Sequence, residues 1–155
     1  MTTPSTILIA VDDDEGGRRA ATAAAALFGS DAVYRFAHVA RPVPMTPPGA
    51  YGPAGMAPVG FAPVDVERDQ QEIIESATAV ASYVAAEAGL ASAASVGLLG
   101  EPADALIDEA VSCGAAAIVV SAHDRSWIER LFHHSVRTDI VRMSPVPVVV
   151  VPDPA

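Results

Sequence analysis

The residues best suited to chemistry stand at the ends of two apolar runs of this sequence. Three consecutive aspartates, Asp12 to Asp14, follow the run Thr6 to Val11, and Ser121 ends a second run, Ala115 to Val120. Histidines, arginines and another aspartate then follow between residues 123 and 135. Carboxylates with imidazoles can bind a divalent metal, and a serine before a helix start can contact phosphate. Two kinds of site are therefore open.

The metal site is the weaker of the two hypotheses. His123, His133 and His134 lie near Asp124 in the sequence, and the aspartate triplet is expected across the crevice from them. Their spacing matches no recognised ligand pattern. Histidines that pair with nearby acids explain the cluster equally, and they would make this segment pH-sensitive near neutrality. We therefore predict no metal ligand, and a metal-dependent enzyme that uses these aspartates and histidines is the less favoured alternative.

Several catalytic chemistries are excluded by residues that the sequence lacks. It contains no lysine, so a Walker-type lysine and a Schiff base are both impossible. Ser121 stands in "VVSAH", without the two glycines of a nucleophile elbow. The segment after the first apolar run contains no histidine pair of the kind that nucleotidyl transferases use. We assign no catalytic residue and expect a binding protein.

Composition narrows the partners. The formal net charge of −10 and a pI of about 4.6 argue against nucleic acid and anionic membranes, which both attract basic surfaces. The 155 residues suffice for one domain, residues 1–155. No apolar run reaches the roughly 18 residues of a membrane span, and no targeting signal is visible. These features predict a cytoplasmic protein.

Five short apolar runs predict the strands that position these residues. They are Thr6 to Asp12, Ala32 to Val39, Ala94 to Gly100, Ala115 to Ala122 and Pro145 to Val151. Helical patterns alternate with them, at 15–28, 66–88 and within 100–114. In the second, the residues expected on one apolar face are Val66, Ile73, Ile74, Ala77, Val80, Ala81 and Val84. This alternation predicts an α/β fold with a parallel sheet and helices on both faces.

A proline-rich loop at 41–65 interrupts the alternation. It holds seven prolines and four glycines, which exclude a regular helix or a central strand. A loop of this length is either a mobile linker or an ordered lid or partner contact. Its Met45, Tyr51, Met56 and Phe61 are apolar enough to pack on a partner. Both interpretations stay open.

Five stretches of the chain resemble the universal stress protein family. They are "ILIAVD", "GEPADALIDEA", "AAIVVSAHDR", "HHSVRTDIVR" and the ending "MSPVPVVVV", in the family's order and spacing. The resemblance covers essentially the whole chain. It implies an open five-stranded sheet in the order 3-2-1-4-5, a homodimer and a role in the stress response.

Nucleotide-binding members of that family carry G-x2-G-x9-G-[ST] after the fourth strand. Here Ser121, Asp124 and His134 occupy the three glycine positions, and only Ser135 matches. The resemblance places Ala10, Asp12 and Val39 near a base and ribose. It places Val120, Ser121, Asp124, His134, Ser135 and Val136 near the phosphates.

The missing glycines predict that ATP is not bound tightly. Glycine lets the backbone of such a loop approach a phosphate closely. Asp124 adds a carboxylate there, and at an effective dielectric of about 20 two unit charges about 4 Å apart repel by roughly 4 kcal/mol. Asp13 and Asp14 add further negative charge. The alternative is ATP bound with Mg²⁺, the ion bridging to the aspartates and Arg125 or Arg130 contacting phosphate.

Two segments are candidates for protein contacts. The last strand would expose its backbone at a sheet edge unless a second copy covers it. We therefore predict a homodimer through Val146, Val148, Val149, Val150 and Val151. The turn around Trp127 either packs on the end of the sheet or closes the crevice and contacts a second subunit.

Overall fold

The computed structural model describes residues 3–42, 65–122 and 136–154. Its strands are β1 (Thr6–Ala10), β2 (Val33–Ala40), β3 (Ala94–Leu99), β4 (Ala115–Ser121) and β5 (Val148–Val151). Its helices are α1 (Glu15–Phe28), α2 (Val66–Glu87), α3 (Pro102–Ser112) and α4 (Val136–Met143). All strand pairs are parallel, in the order β3-β2-β1-β4-β5. The predicted fold class and strand order are confirmed.

Strand β5 is shorter than predicted. It begins at Val148, whereas the sequence predicted Pro145 as its first residue. Prolines at 145 and 147 have no N–H to donate, so regular pairing cannot extend through them. The carbonyl of Pro147 still accepts a hydrogen bond from the Ile118 N–H at 2.9 Å. The proline pair therefore limits this edge strand to four residues.

The sheet separates two apolar cores. On one face, α1 and α2 cover Ile7, Ile9, Val11, Tyr34, Phe36, Ala117 and Val119. On the other face, α3 and α4 cover Leu8, Ala10, Ala37, Val39, Ala115, Ile118 and Val120. Alternate residues of each central strand thus enter opposite cores, which explains the nearly continuous apolar runs in the sequence.

One residue of the predicted apolar face of α2 is exposed. Val66 keeps 56% of its surface accessible, whereas Ala77, Ala81 and Val84 are buried. A helix of 22 residues is about 33 Å long, and the six residues of β3 span only about 20 Å. The first turns of α2 therefore extend beyond the sheet.

Helix α2 packs directly on the backbone of β3 at Gly97. The Gly97 N–H donates to Thr78 Oγ1 at 2.8 Å, and that hydroxyl donates to the Ile74 carbonyl, also at 2.8 Å. Gly97 is buried, and a Cβ added to it would lie 2.2 Å from the Ile74 oxygen. Helix α2 thus covers part of the β3 edge and satisfies one of its donors.

Replacing Thr78 by valine is expected to cost about 1–2 kcal/mol of unfolding free energy, because the Gly97 N–H would keep no acceptor beneath the helix. Urea denaturation measures this. The control is Thr22→Val, since the Thr22 hydroxyl donates only to the Arg18 carbonyl on an exposed face. Equal losses in the two variants would show that the Thr78 hydroxyl has no special role.

The two segments for which the sequence allowed two interpretations lie mainly outside the described residues. These include residues 43–64 of the proline-rich loop and residues 123–135, which contain the Trp127 turn. Both interpretations of each segment stay predictions.

Candidate functional site

The crevice lies at the carboxyl ends of β1 and β4. These strands are neighbours in the sheet, and the chain leaves them in opposite directions, β1 towards β2 and β4 towards β5. Such a switch point is where open parallel sheets bind ligands. Of the residues assigned by resemblance, Ala10, Val39 and Val120 are buried together in the core beneath α3 and α4. Their side chains form an apolar floor near the strand ends.

Asp12 stands beside this floor, two residues after β1 ends. Its carboxylate accepts a hydrogen bond from the Asp13 N–H at 2.9 Å and lies 3.7 Å from His38 Nδ1. The Asp12 side chain is 24% exposed. Its carboxylate can accept a hydrogen bond from a hydroxyl group, such as that of a ribose.

The sequence reasoning overlooked His38. Its Nδ1 lies 2.9 Å from the Val11 carbonyl, and because a carbonyl only accepts, Nδ1 carries the proton and donates. The bond joins the ends of β1 and β2 beside Asp12. A polar residue within the apolar run "YRFAHVA" was the available signal. His38 therefore helps to position the chain that leads to Asp12.

Asp13 and Asp14 have different surroundings from Asp12. Asp14 Oδ1 accepts the Gly17 N–H at 3.1 Å and caps α1. Both aspartates line a small cleft of about 90 Å³ against α2, with Arg18, Tyr83, Val84 and Glu87. The three aspartates are thus adjacent in sequence without forming one group that faces β4.

Gly17 allows α1 to begin close to β1. A Cβ at this position would lie 2.9 Å from the Asp12 carbonyl oxygen and 3.2 Å from Val84 Cγ1. A larger residue would push the first turn of α1 away from the strand end. Gly17, the second glycine of "DDDEGG", therefore sets the wall of the crevice on the α1 side.

Ser121 ends β4 and is almost completely buried, with 1% of its surface exposed. Within the described part of the chain, its Oγ has no hydrogen-bond partner. An unsatisfied buried hydroxyl is costly, by about 1–3 kcal/mol. Among the described residues, the Ser121 hydroxyl, which stands at the first glycine position of the family motif, therefore keeps an unused donor and acceptor at the end of β4.

Three of the described arginines around this end of the sheet are paired with acids. Arg18 contacts Glu87 at 3.1 Å, and Arg41 lies 3.6 Å from Glu101. Arg19 forms an ion pair with Asp153. A phosphate that approached these cations would compete with the carboxylates that already neutralise them.

The surroundings of Cys113 do not favour a nucleophilic thiolate. Burial, and then the neighbouring Glu109 carboxylate, raise the pKa of the Cys113 thiol above its ordinary value. The thiol therefore stays protonated near neutral pH, and the thiolate is the reactive form.

The remaining site residues lie beyond the described ranges. Asp124, His134 and Ser135 are among them, and Val136 begins α4 without a described side chain. Across residues 3–42, 65–122 and 136–154, no group of three histidine, cysteine or acidic residues could hold a metal ion. Within the same ranges, no helix has the length and apolar content to cross a membrane.

The strand order and the switch point define an open, doubly wound α/β protein. The universal stress protein family model matches residues 4–152, and the chain belongs to that family. No curated protein matches it at a significant level.

Solved structures share this fold at low sequence identity. A universal stress protein in complex with cAMP is 23% identical, with a TM-score of 0.58, and the match covers 97% of this chain and 98% of that chain. A family protein from Burkholderia pseudomallei is 21% identical, with a TM-score of 0.56 and 99% of each chain covered. The universal stress protein from Archaeoglobus fulgidus in complex with dAMP is 18% identical, with a TM-score of 0.52, covering 96% and 98%.

Proposed function

We propose that this universal stress protein acts in the stress response by binding and by forming a homodimer, and that it does not hold ATP tightly. The observation that carries the proposal is the chemistry of the crevice. Asp12 supplies a carboxylate at the end of β1, and the nearby Arg18, Arg19 and Arg41 are paired with acids. A triphosphate would have to displace those acids from the arginines and lie beside the Asp12 carboxylate.

The missing glycines support the same conclusion. In the motif after β4, residues with side chains stand at all three glycine positions, and the first of them, Ser121, is buried. Side chains at these positions occupy space that a chain of three phosphates needs for close approach to backbone N–H groups. The residues present do not fit the triphosphate.

A ligand with fewer phosphates is the second candidate function. Asp12 can accept from a ribose hydroxyl, and the buried Ser121 Oγ lacks a partner within the described chain. Two proteins of similar fold are complexes with cAMP and dAMP, and each of these nucleotides carries a single phosphate. A single phosphate brings less negative charge towards Asp12 than a triphosphate does. We therefore favour an adenine nucleoside monophosphate over ATP.

A titration series separates these ligands. AMP, cAMP and Mg-ATP are each titrated into nucleotide-free protein and into Ser121→Ala, with exposed Ser112→Ala as the control. If the Ser121 hydroxyl binds the ligand, Ser121→Ala weakens monophosphate binding by about tenfold and Ser112→Ala leaves it unchanged. Monophosphate affinity that is equal in all three proteins would contradict a role for Ser121.

The dimer proposal rests on a difference between the two sheet edges. Helix α2 covers β3 at Gly97, whereas Val150 of β5 is 43% exposed. The carbonyls of Pro147 and Val151 accept from the N–H groups of Ile118 in β4 and of Ala122 just after it, at 2.9 and 2.8 Å. Because strand residues alternate in direction, the backbone groups of Val148 and Val150 face away from β4. These outward groups are available to a second copy.

Replacing Val150 by proline is expected to weaken the dimer about 30-fold. The change removes an outward N–H from each copy and leaves the β4 pairing intact, a loss of about two hydrogen bonds at about 1 kcal/mol each. Sedimentation velocity across a concentration series measures it. Val150→Thr keeps the N–H and the branched shape, so it should associate like the wild type. Equal association of the two variants would contradict pairing through β5.

Three further statements remain predictions from the sequence. They are a single domain over residues 1–155, a cytoplasmic location, and a protein partner for the loop at 41–65.

A further inference from the structure

The last residues of the chain contact the helix beside the crevice. After β5, Asp153 forms an ion pair with Arg19 in the second turn of α1, 134 residues away in sequence. The Arg19 side chain is 25% exposed and that of Asp153 is 33% exposed, so both groups are largely withdrawn from water. An ion pair of this kind is screened less by salt than one on the open surface.

The tail, the residues that follow β5, runs from the sheet edge towards α1. The Ala122 N–H donates to the Val151 carbonyl, so β5 still pairs with β4 at its last residue. Val149 and Val151 pack on the core beneath α1 and α2. The tail therefore passes from the end of β5, beside the end of β4, to α1.

Strand β5 needs an anchor of this kind. It has four residues, lies at the sheet edge and hydrogen-bonds to one neighbour, β4. Short edge strands with one partner open readily. Pro152 and Pro154 flank Asp153 and restrict the tail, which lowers the entropy lost when the ion pair forms.

We propose that the Arg19–Asp153 pair is a clasp that fixes β5 and its tail to α1, and so keeps the β5 edge ordered for a second copy. Its effect on association rests on the proposed β5 dimer, but its effect on β5 does not. Because α1 begins beside Asp12, the clasp also joins the dimer edge to the wall of the crevice.

Amide hydrogen exchange tests the clasp in two closely matched variants. Asp153→Asn removes the charge of the tail and keeps its shape. Glu15→Gln removes the other carboxylate near Arg19, at 3.8 Å, and leaves the tail contact in place. Exchange of the peptide that contains Val148 to Val151 is expected to rise about fivefold in Asp153→Asn and to stay unchanged in Glu15→Gln. Equal exchange in the two variants would overturn the clasp.

Sedimentation on the same samples tests the link to association. The dissociation constant of the dimer is expected to rise about fivefold in Asp153→Asn and not in Glu15→Gln. Faster exchange with an unchanged dissociation constant would overturn the link between the clasp and the dimer. A wild type that is monomeric at every concentration would refute the dimer proposal, and the exchange data alone would then decide on the clasp.

Discussion

Gly97→Ala is expected to destabilise the protein by about 3 kcal/mol, the upper part of the range for overpacked cores. The added Cβ would lie 2.2 Å from the Ile74 carbonyl oxygen and 2.6 Å from the Thr78 nitrogen. Both atoms belong to the α2 backbone, so no rotamer change can relieve the contact. The helix must move away from β3, which also lengthens the hydrogen bond to Thr78. Urea denaturation gives the change in free energy directly.

Ala94→Val controls for a larger side chain on the same strand. Ala94 is exposed at the start of β3, so this variant should differ from the wild type by no more than about 0.5 kcal/mol. If Gly97→Ala unfolds at the same urea concentration as Ala94→Val, the close approach of α2 to β3 is contradicted.

Phe36→Ala is expected to cost about 4 kcal/mol. Phe36 is completely buried in the centre of the core beneath α1 and α2, and it is the largest of the fully buried side chains described. Its removal leaves a cavity bounded by a sheet that cannot collapse into it. Typical domains have only 5–15 kcal/mol of stability in total, so the loss is a large fraction.

Tyr83→Ala is the matched aromatic control. Tyr83 is 54% exposed on α2, and its truncation should change the unfolding free energy by no more than about 0.5 kcal/mol. Similar urea midpoints for Phe36→Ala and Tyr83→Ala would show that the core is not packed as described.

The strands were predictable because periodicity and punctuation agree in this sequence, whereas their order was predicted from the family resemblance. Apolar runs such as Ile7 to Val11 enter both cores, which is the signature of a doubly covered parallel strand. The predicted start of β5 was wrong, because composition alone does not show where Pro145 and Pro147 stop the regular ladder of backbone hydrogen bonds. The exposure of Val66 was missed because helical periodicity does not report where a helix extends past its sheet.

The sequence predicted which residues stand at the strand ends of the candidate site, but it did not predict most of their contacts. Asp12 and Ser121 were identified from the strand ends on which they stand. The different surroundings of Asp14 were not, because whether a carboxylate caps a helix or faces a crevice depends on the exit angle of the strand. The contacts of His38 with Val11 and of Arg19 with Asp153 join residues far apart in sequence, and no local pattern reports them.

Calorimetric titration of nucleotide-free protein with Mg-ATP tests directly whether the crevice holds ATP tightly. The charges and side chains at the crevice predict no saturable heat up to millimolar ATP. The binding free energy would then be at least about 4 kcal/mol weaker than that of micromolar binding. Saturable binding with micromolar affinity would contradict the proposal that the crevice does not fit a triphosphate. It would instead favour a universal stress protein that binds ATP through an atypical phosphate loop.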